Sequence, residues 1–219
     1  MIVAIDGPAG SGKGTVTKRI AKELGFINLD TGATYRCVAL QALRSKLSIK
    51  DEEEIIKLAN NIEITIDSNG NEDIIFLNGE DVSKDIRTKE VTNIVSQVSS
   101  IIPVREIMVD VQRNLAKGRN VIVEGRDITT VVFPNADLKI YLDASEEIRA
   151  KRRYSENLEK GINTTYEEVL ENVKMRDYND MHKKFGALKK AKDAIVIDST
   201  NLKIDEVVDK IKDEIKKKI

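Results

Sequence analysis

Ile2-Val3-Ala4-Ile5-Asp6-Gly7-Pro8-Ala9-Gly10-Ser11-Gly12-Lys13-Gly14-Thr15 decides how the rest of the chain is read. An apolar run of strand character enters a glycine-rich turn. Beyond it Val16, Ile20 and Leu24 have helical i, i+4, i+8 spacing, with Gly25 placed to end the helix. Between a strand and a helix, G-x-x-x-x-G-K is the pattern of a phosphate-binding loop. Its glycines let successive N–H groups converge on phosphate oxygens, and Lys13 adds a point charge where the helix dipole already favours an anion. Gly7, Pro8, Ala9, Gly10, Ser11, Gly12, Lys13, Gly14 and Thr15 are therefore the candidate nucleotide-phosphate site. The loop departs from the common G-K-[ST] ending, because Gly14 follows the lysine and the hydroxyl comes at Thr15.

Downstream, strands alternate with helices. Phe26 to Asp30 reads as a second strand delivering Asp30-Thr31-Gly32 to a turn, after which Tyr35, Val38, Ala39, Ala42 and Leu43 resume helical spacing. Asp51 and three glutamates mark the start of another helix. Ile62, Ile64 and Ile66 then alternate with polar residues. Ser68-Asn69-Gly70-Asn71 has turn chemistry, and Ile74 to Leu77 runs into Asn78-Gly79, so a small antiparallel hairpin or three-stranded sheet is expected here. Two helices should follow, one capped by Thr88, the next with Pro103 in its first turn, an Ile107, Val111, Leu115 stripe and Gly118 past its end. Val121 to Val123 is a buried strand ending in Glu124-Gly125-Arg126-Asp127, and Leu138 to Leu142 is a fourth. An arginine-rich helix starts at Ser145 and fades near Lys160-Gly161. Thr165 and Glu168 have capping-box spacing for a helix reaching about His182. Ala194 to Asp198 is a fifth strand, and Ile204, Val207, Val208, Ile211 and Ile215 form the stripe of a last, core-packing helix.

Strands separated by helices imply parallel pairing by right-handed crossovers, with ligands at the carboxyl ends of the strands. Arg36 and Arg126 follow different strands at that edge, and a guanidinium fork matches phosphate well. Two such arginines beside the loop suggest a second phosphate close to the first, the requirement for phosphoryl transfer between two anions. A phosphate acceptor is already ionised near neutrality, so no general base is needed, and His182, the one histidine, is read as a solvated helix residue.

The composition excludes several classes. With 219 residues, 41% hydrophobic and 33% charged at a net charge of −1, the chain suits one globular domain whose electrostatics are local. The lone cysteine, Cys37, suits a reducing interior and no leader or membrane-spanning run is evident, so a cytoplasmic location is expected; no spare apolar face is evident, so a monomer is expected. Aromatics at 4% and the lack of a basic excess argue against nucleic-acid binding. A guanine-reading N/T-K-x-D motif, which a P-loop switch protein needs, is absent; Thr88-Lys89-Glu90-Val91 lacks the aspartate.

The ordered set GPAGSGKGT, LDTGATYR, SQVSS with VRE, VEGRDITTVVFP, LDAS with the arginine-rich helix, and RDYND resembles the bacterial-type cytidylate kinases over nearly the whole chain. The resemblance implies a three-layer α/β P-loop kinase core of the adenylate-kinase kind with a five-stranded parallel sheet in order 2-3-1-4-5. It implies one domain over 1–219, with a monophosphate-binding region at 31–119 enlarged by the inserted antiparallel sheet at about 62–86, and a short helical lid at 149–165. The substrates implied are ATP with magnesium, and CMP or dCMP; a kinase for UMP, AMP or GMP is the nearest alternative.

Carried over by position, the resemblance puts Thr31, Arg36 and Arg126 at the acceptor phosphate, Ser96 and Arg105 at the cytosine edge with Asp127 supporting that recognition, and Arg176, Asp180 and Lys183 at sugar and phosphate. The last three also share an i, i+4, i+7 face. Lys13, Arg126, Arg152 and Arg153 are the implied catalytic cations, the last two from the lid. Thr15 and Glu124 are candidate magnesium contacts, through water; for Glu124, pairing with a nearby arginine is the alternative. Three positions depart from the family pattern: Lys183 stands where arginine is usual, Thr129 where glycine is usual, and Thr31 where serine is frequent, the hydroxyl being kept.

Overall fold

Ile2–Asp6 forms strand β1 with a parallel partner on each side, which is why all of it beyond Ile2 is buried. The computed structural model describes residues 1–68 and 73–218. In chain order, β1 leads through the loop to α1 (Lys13–Leu24), β2 (Ile27–Asp30), α2 (Thr31–Arg44) and α3 (Glu52–Asn61). The insert is β3 (Ile64–Ser68), β4 (Asp73–Leu77) and β5 (Glu80–Asp81), followed by α4 (Lys89–Val98) and α5 (Ile102–Ala116). Then come β6 (Val121–Gly125), a wide turn at Ile128–Val132, β7 (Leu138–Asp143), α6 (Glu146–Glu159), α7 (Tyr166–Met181), β8 (Ile195–Asp198) and α8 (Ile204–Lys216).

The parallel sheet has the order β2-β6-β1-β7-β8, so the five core strands run 2-3-1-4-5 as expected, and the insert is a separate three-stranded sheet, β3-β4-β5. The register sorts the side chains into two faces. Val3, Ile5 and Ile122 join Ile140 and Leu142 under α1 and α8, whereas Ala4, Val121 and Val123 join the larger core of α2 to α5 and the insert. A third, small cluster, Ala150, Val169 and Val173, lies between α6 and α7. Among the described residues no helix is long and apolar enough to cross a membrane.

Several expectations shift in detail. No turn separates β2 from α2: the helix starts at Thr31 itself, placing Thr31 and Gly32 in its first turn with Asp30 before it. The α5 face predicted as Ile107, Val111 and Leu115 is only half-buried; the deeper face is Val104, Met108 and Gln112 with Arg105. Two inward polar residues, Arg105 and Gln112, disguise that face in the apolar pattern. Ile204, assigned to the α8 stripe, opens the helix and stays 49% exposed. Thr88 precedes α4 but makes no side-chain cap, while the capping box of Thr165 and Glu168 is formed in full. Asn78 and Gly79 both have positive φ, 51° and 82°, as the tight turn from β4 to β5 requires. The turn expected around 69–71 lies outside the described residues.

Candidate active site

The loop after β1 is held open by backbone geometry and close packing. Gly10 and Gly12 have φ of 80° and 93°, values that side chains resist. Lys13 is buried at the start of α1, its Nζ donating to the carbonyls of Gly7 and Pro8 at 2.7 and 2.8 Å. Burial, then the like charge of Arg126, pulls its ammonium down to about 7 against the opposing pull of Glu124, Asp6 and Asp180. Gly14, the departure from the common loop, has a structural reason. A Cβ there would stand 2.9 Å from Glu124 Oε1, so the glycine leaves room for the Glu124 carboxylate beside the loop.

Glu124 itself makes no side-chain hydrogen bond or ion pair among the described residues, so the pairing with arginine foreseen as its alternative role is not formed. Burial and the like charge of Asp30 raise its pKa, opposed by Lys13, Arg126 and Lys18. Thr15 is exposed on the first turn of α1. No group of three or more acidic, histidine or cysteine side chains able to cage a metal occurs among the described residues. Magnesium that arrives on nucleotide phosphates needs fewer: it keeps several waters and takes one or two protein oxygens, a demand that an unpaired carboxylate and a free hydroxyl beside the loop fit.

Cations surround this loop from other elements. Arg152 of α6 donates to Ser11 O at 3.4 Å and to Ser199 O at 2.7 Å, which fixes it against the phosphate loop. Arg126, just past β6, donates through Nε to Asp180 Oδ2 at 2.7 Å, and Lys183 holds the other oxygen at 2.9 Å. Burial alone would raise the Asp180 pKa, but these two cations hold it below the usual carboxylate value. Arg176 stays open to water, yet partial desolvation and the like charges of Arg153, Arg126 and Arg36 lower its pKa, so these four guanidiniums share one field. Arg36 reaches Asp30 at 3.4 Å, and the Thr31 hydroxyl donates to Glu124 O at 2.8 Å.

A second, drier cluster lies alongside. Arg105 and Asp127, each 5% exposed, are joined at 2.5 Å, and Arg105 also donates to Ser99 O at 3.2 Å while its Nε has no partner among the described residues. The Arg105 guanidinium lies over the rings of Tyr35 and Phe185, 5.2 and 5.8 Å from their centres. Gly186 seals the pair: a Cβ there would fall 2.2 Å from Asp127 Oδ2. Ser96 is exposed on α4, one turn before Ser99, and is not joined to this pair. His182 is exposed and stacked on Tyr178 at 4.1 Å, in keeping with a solvated residue.

Three participants escaped the sequence reading. Asp6, at 0% exposure, accepts from Ile128 N and Thr129 N at 2.8 Å each and from the Thr129 hydroxyl at 2.6 Å, so it anchors the turn that carries Asp127. That turn closes in wide i→i+5 steps, Val132 N to Asp127 O and Phe133 N to Ile128 O. Thr129, where glycine was the expected residue, needs no positive φ and supplies one of the anchoring bonds. The other two, Arg149 and Asp177, are ion-paired in the interior. The signal available for Asp6 was a carboxylate at the end of an otherwise apolar buried strand; Arg149 and Asp177 had none, since 28 residues separate them.

Cations set on both sides of a strand-loop-helix phosphate cradle can neutralise two phosphates at once, which puts the protein in the class of P-loop kinases. Comparison with known proteins narrows the class. The family model described as "Cytidylate kinase" matches residues 3–217, and the chain belongs to that family. It is 48% identical over 209 residues to the cytidylate kinase of Caldicellulosiruptor bescii, covering 95% of this chain and 92% of the relative. It is 49% identical over 217 residues to that of Fusobacterium nucleatum, covering 99% and 98%. A solved structure of an uncharacterized protein from Eubacterium ventriosum shares the fold alone, with a TM-score of 0.55 at 14% identity over 99% of this chain and 98% of that one.

Proposed function

We propose that the protein transfers the γ-phosphoryl group of ATP to CMP or dCMP, giving CDP or dCDP. The observation that carries this reading is the position of Arg126. It is bonded to Asp180 on the acceptor side, and its charge lowers the pKa of Lys13 on the donor side, so it spans the line of transfer. Gly7 to Thr15 hold the ATP phosphates. Lys13, Arg126, Arg152 and Arg153 neutralise the transferring group, while Thr31 and Arg36 hold the acceptor phosphate together with Arg126. Ser96, Arg105 and Asp127 read the base, and Arg176, Asp180 and Lys183 hold the sugar and phosphate. Thr15 and Glu124 would hold, through water, the magnesium that enters with ATP, and the ion would supply positive charge against that of the nucleotide phosphates.

The acceptor oxygen is already ionised, so these residues position and neutralise rather than remove a proton. Lys13 Nζ donates to the Gly7 and Pro8 carbonyls and turns from them to meet phosphate. The lone cysteine supports a cytoplasmic location, and the lack of an evident spare apolar face in the sequence supports a monomer acting on small nucleotides.

The test is ADP release from MgATP with CMP, dCMP, UMP, AMP or GMP in turn, alongside Lys13→Ala and Arg36→Ala. Turnover with CMP and dCMP that both variants abolish is the expected result. Turnover with a different monophosphate alone would overturn the cytosine reading and leave the kinase core standing.

A further inference from the structure

Helices α6 and α7 pack on each other through Ala150, Val169 and Val173, a cluster separate from the two that line the sheet. Where this helix pair meets the phosphate loop, the contacts are polar. Arg149, 3% exposed, donates to Ala9 O at 3.0 Å and to Ala144 O at 2.9 Å, and its remaining donors hold both oxygens of Asp177 in α7. The loop also lies flush against α6, since a Cβ on Gly10 would be 3.2 Å from Arg149 Cβ. Asp177 adjoins Arg176 and lies one turn before Asp180 on the same side of α7; it is buried, whereas Asp180 is half-buried and Arg176 exposed, so one helix carries the two acceptor-side groups and the buried carboxylate.

We propose that Arg149 and Asp177 are positioning residues, a strut through which acceptor binding on α7 sets the conformation of the loop at Ala9 and Gly10. The proposal rests on the acceptor site assigned above. A two-pronged guanidinium–carboxylate pair has one good geometry, so rotation of α7 as Arg176 and Asp180 close on a monophosphate carries Arg149 with it. Arg149 is bonded directly to a loop carbonyl, and the displacement reaches the donor site without an intervening side chain. The strut thus favours the loop conformation that grips ATP when CMP is in place, and by linkage ATP favours CMP equally.

The experiment measures the dissociation constant of a non-hydrolysable MgATP analogue with and without saturating CMP; their ratio is the coupling factor. In the wild-type protein a factor of about 5 to 150, the usual span for linked sites, is expected. Asp177→Asn should bring it to about 1 while CMP affinity measured alone stays within about threefold, and Asp177→Glu should restore part of it. The paired variant Arg149→Met with Asp177→Leu fills the space without an unmatched buried charge and keeps the test decisive where Asp177→Asn does not fold. Wild-type coupling persisting in a folded variant without the pair, or its absence from the wild type, would overturn the strut. Failure of the wild type to phosphorylate CMP would instead overturn the acceptor assignment.

Discussion

Thr129→Val separates what the Thr129 hydroxyl contributes from the shape of the side chain. The substitution keeps the volume and the β-branch, and it leaves the two backbone N–H bonds to Asp6 at 2.8 Å in place. It removes the 2.6 Å bond from the hydroxyl to Asp6 Oδ2, at a residue 2% exposed. A hydrogen bond to a charged group contributes about 1.5–3 kcal/mol, and the buried methyl returns up to about 0.8 kcal/mol. A net loss of about 1–2 kcal/mol is expected, or about 2–8 °C in Tm for a chain of this size.

The pH dependence supplies an internal check. Burial raises the Asp6 pKa above 3.8, and the Thr129 hydroxyl opposes that shift. The folded state therefore binds the Asp6 proton more tightly than the unfolded state. This group's contribution to stability is full below pH 3.8 and is lost as pH rises through the folded value. Valine pushes that value higher still, so the difference between variant and wild type should shrink as pH falls toward 4. Urea denaturation of both proteins at pH 7.5 and at successively lower pH reads both effects. A difference under about 0.5 kcal/mol at neutral pH, or one that grows in acid, would refute the assignment of a charged, hydroxyl-bonded Asp6.

Other residues give independent tests. Gly125→Ala puts a Cβ 2.6 Å from Ile128 Cδ1 and 2.7 Å from Thr31 Oγ1; it should cost about 1–3 kcal/mol in chemical denaturation and raise the KM for CMP, and a neutral result would count against the tight end of β6. Lys183→Arg keeps the contact with Asp180, now at 2.9 Å, and adds a fork of donors; a fall in the KM for CMP of about tenfold is expected, and unchanged kinetics would remove Lys183 from the site. Lys13, at about 7 in the free protein, is about nine-tenths neutral at pH 8, so ATP binding there should take up close to one proton; binding heats that do not depend on the buffer would refute this. By the same shift, the nucleotide-free protein should gain stability as pH rises from about 7 toward 10.5, because only the unfolded state still holds that proton.

Much of the architecture was legible because it rests on local signals. The strand-loop-helix unit, the capping box of Thr165 and Glu168, and the switch to period-two alternation at the insert are each written in adjacent residues, and the structure forms them all. The α5 face was misjudged because Arg105 and Gln112 are buried for their partners, Asp127 and Thr34, which lie in other elements. Pattern reading treats a polar residue as an outward one, and it fails where a distant partner compensates for burial.

The sequence by itself determined the phosphate loop, the alternation of strands and helices that makes the central sheet parallel, and the family, since these depend on residue type and short spacing. Tertiary structure alone decided which charge meets which. Arg126 faces Asp180 across 54 positions, Asp6 holds Thr129 across 123, and Arg149 meets Asp177 beneath the loop. Such pairings leave no periodic trace in a chain, because their energy comes from the desolvated space that only packed elements enclose.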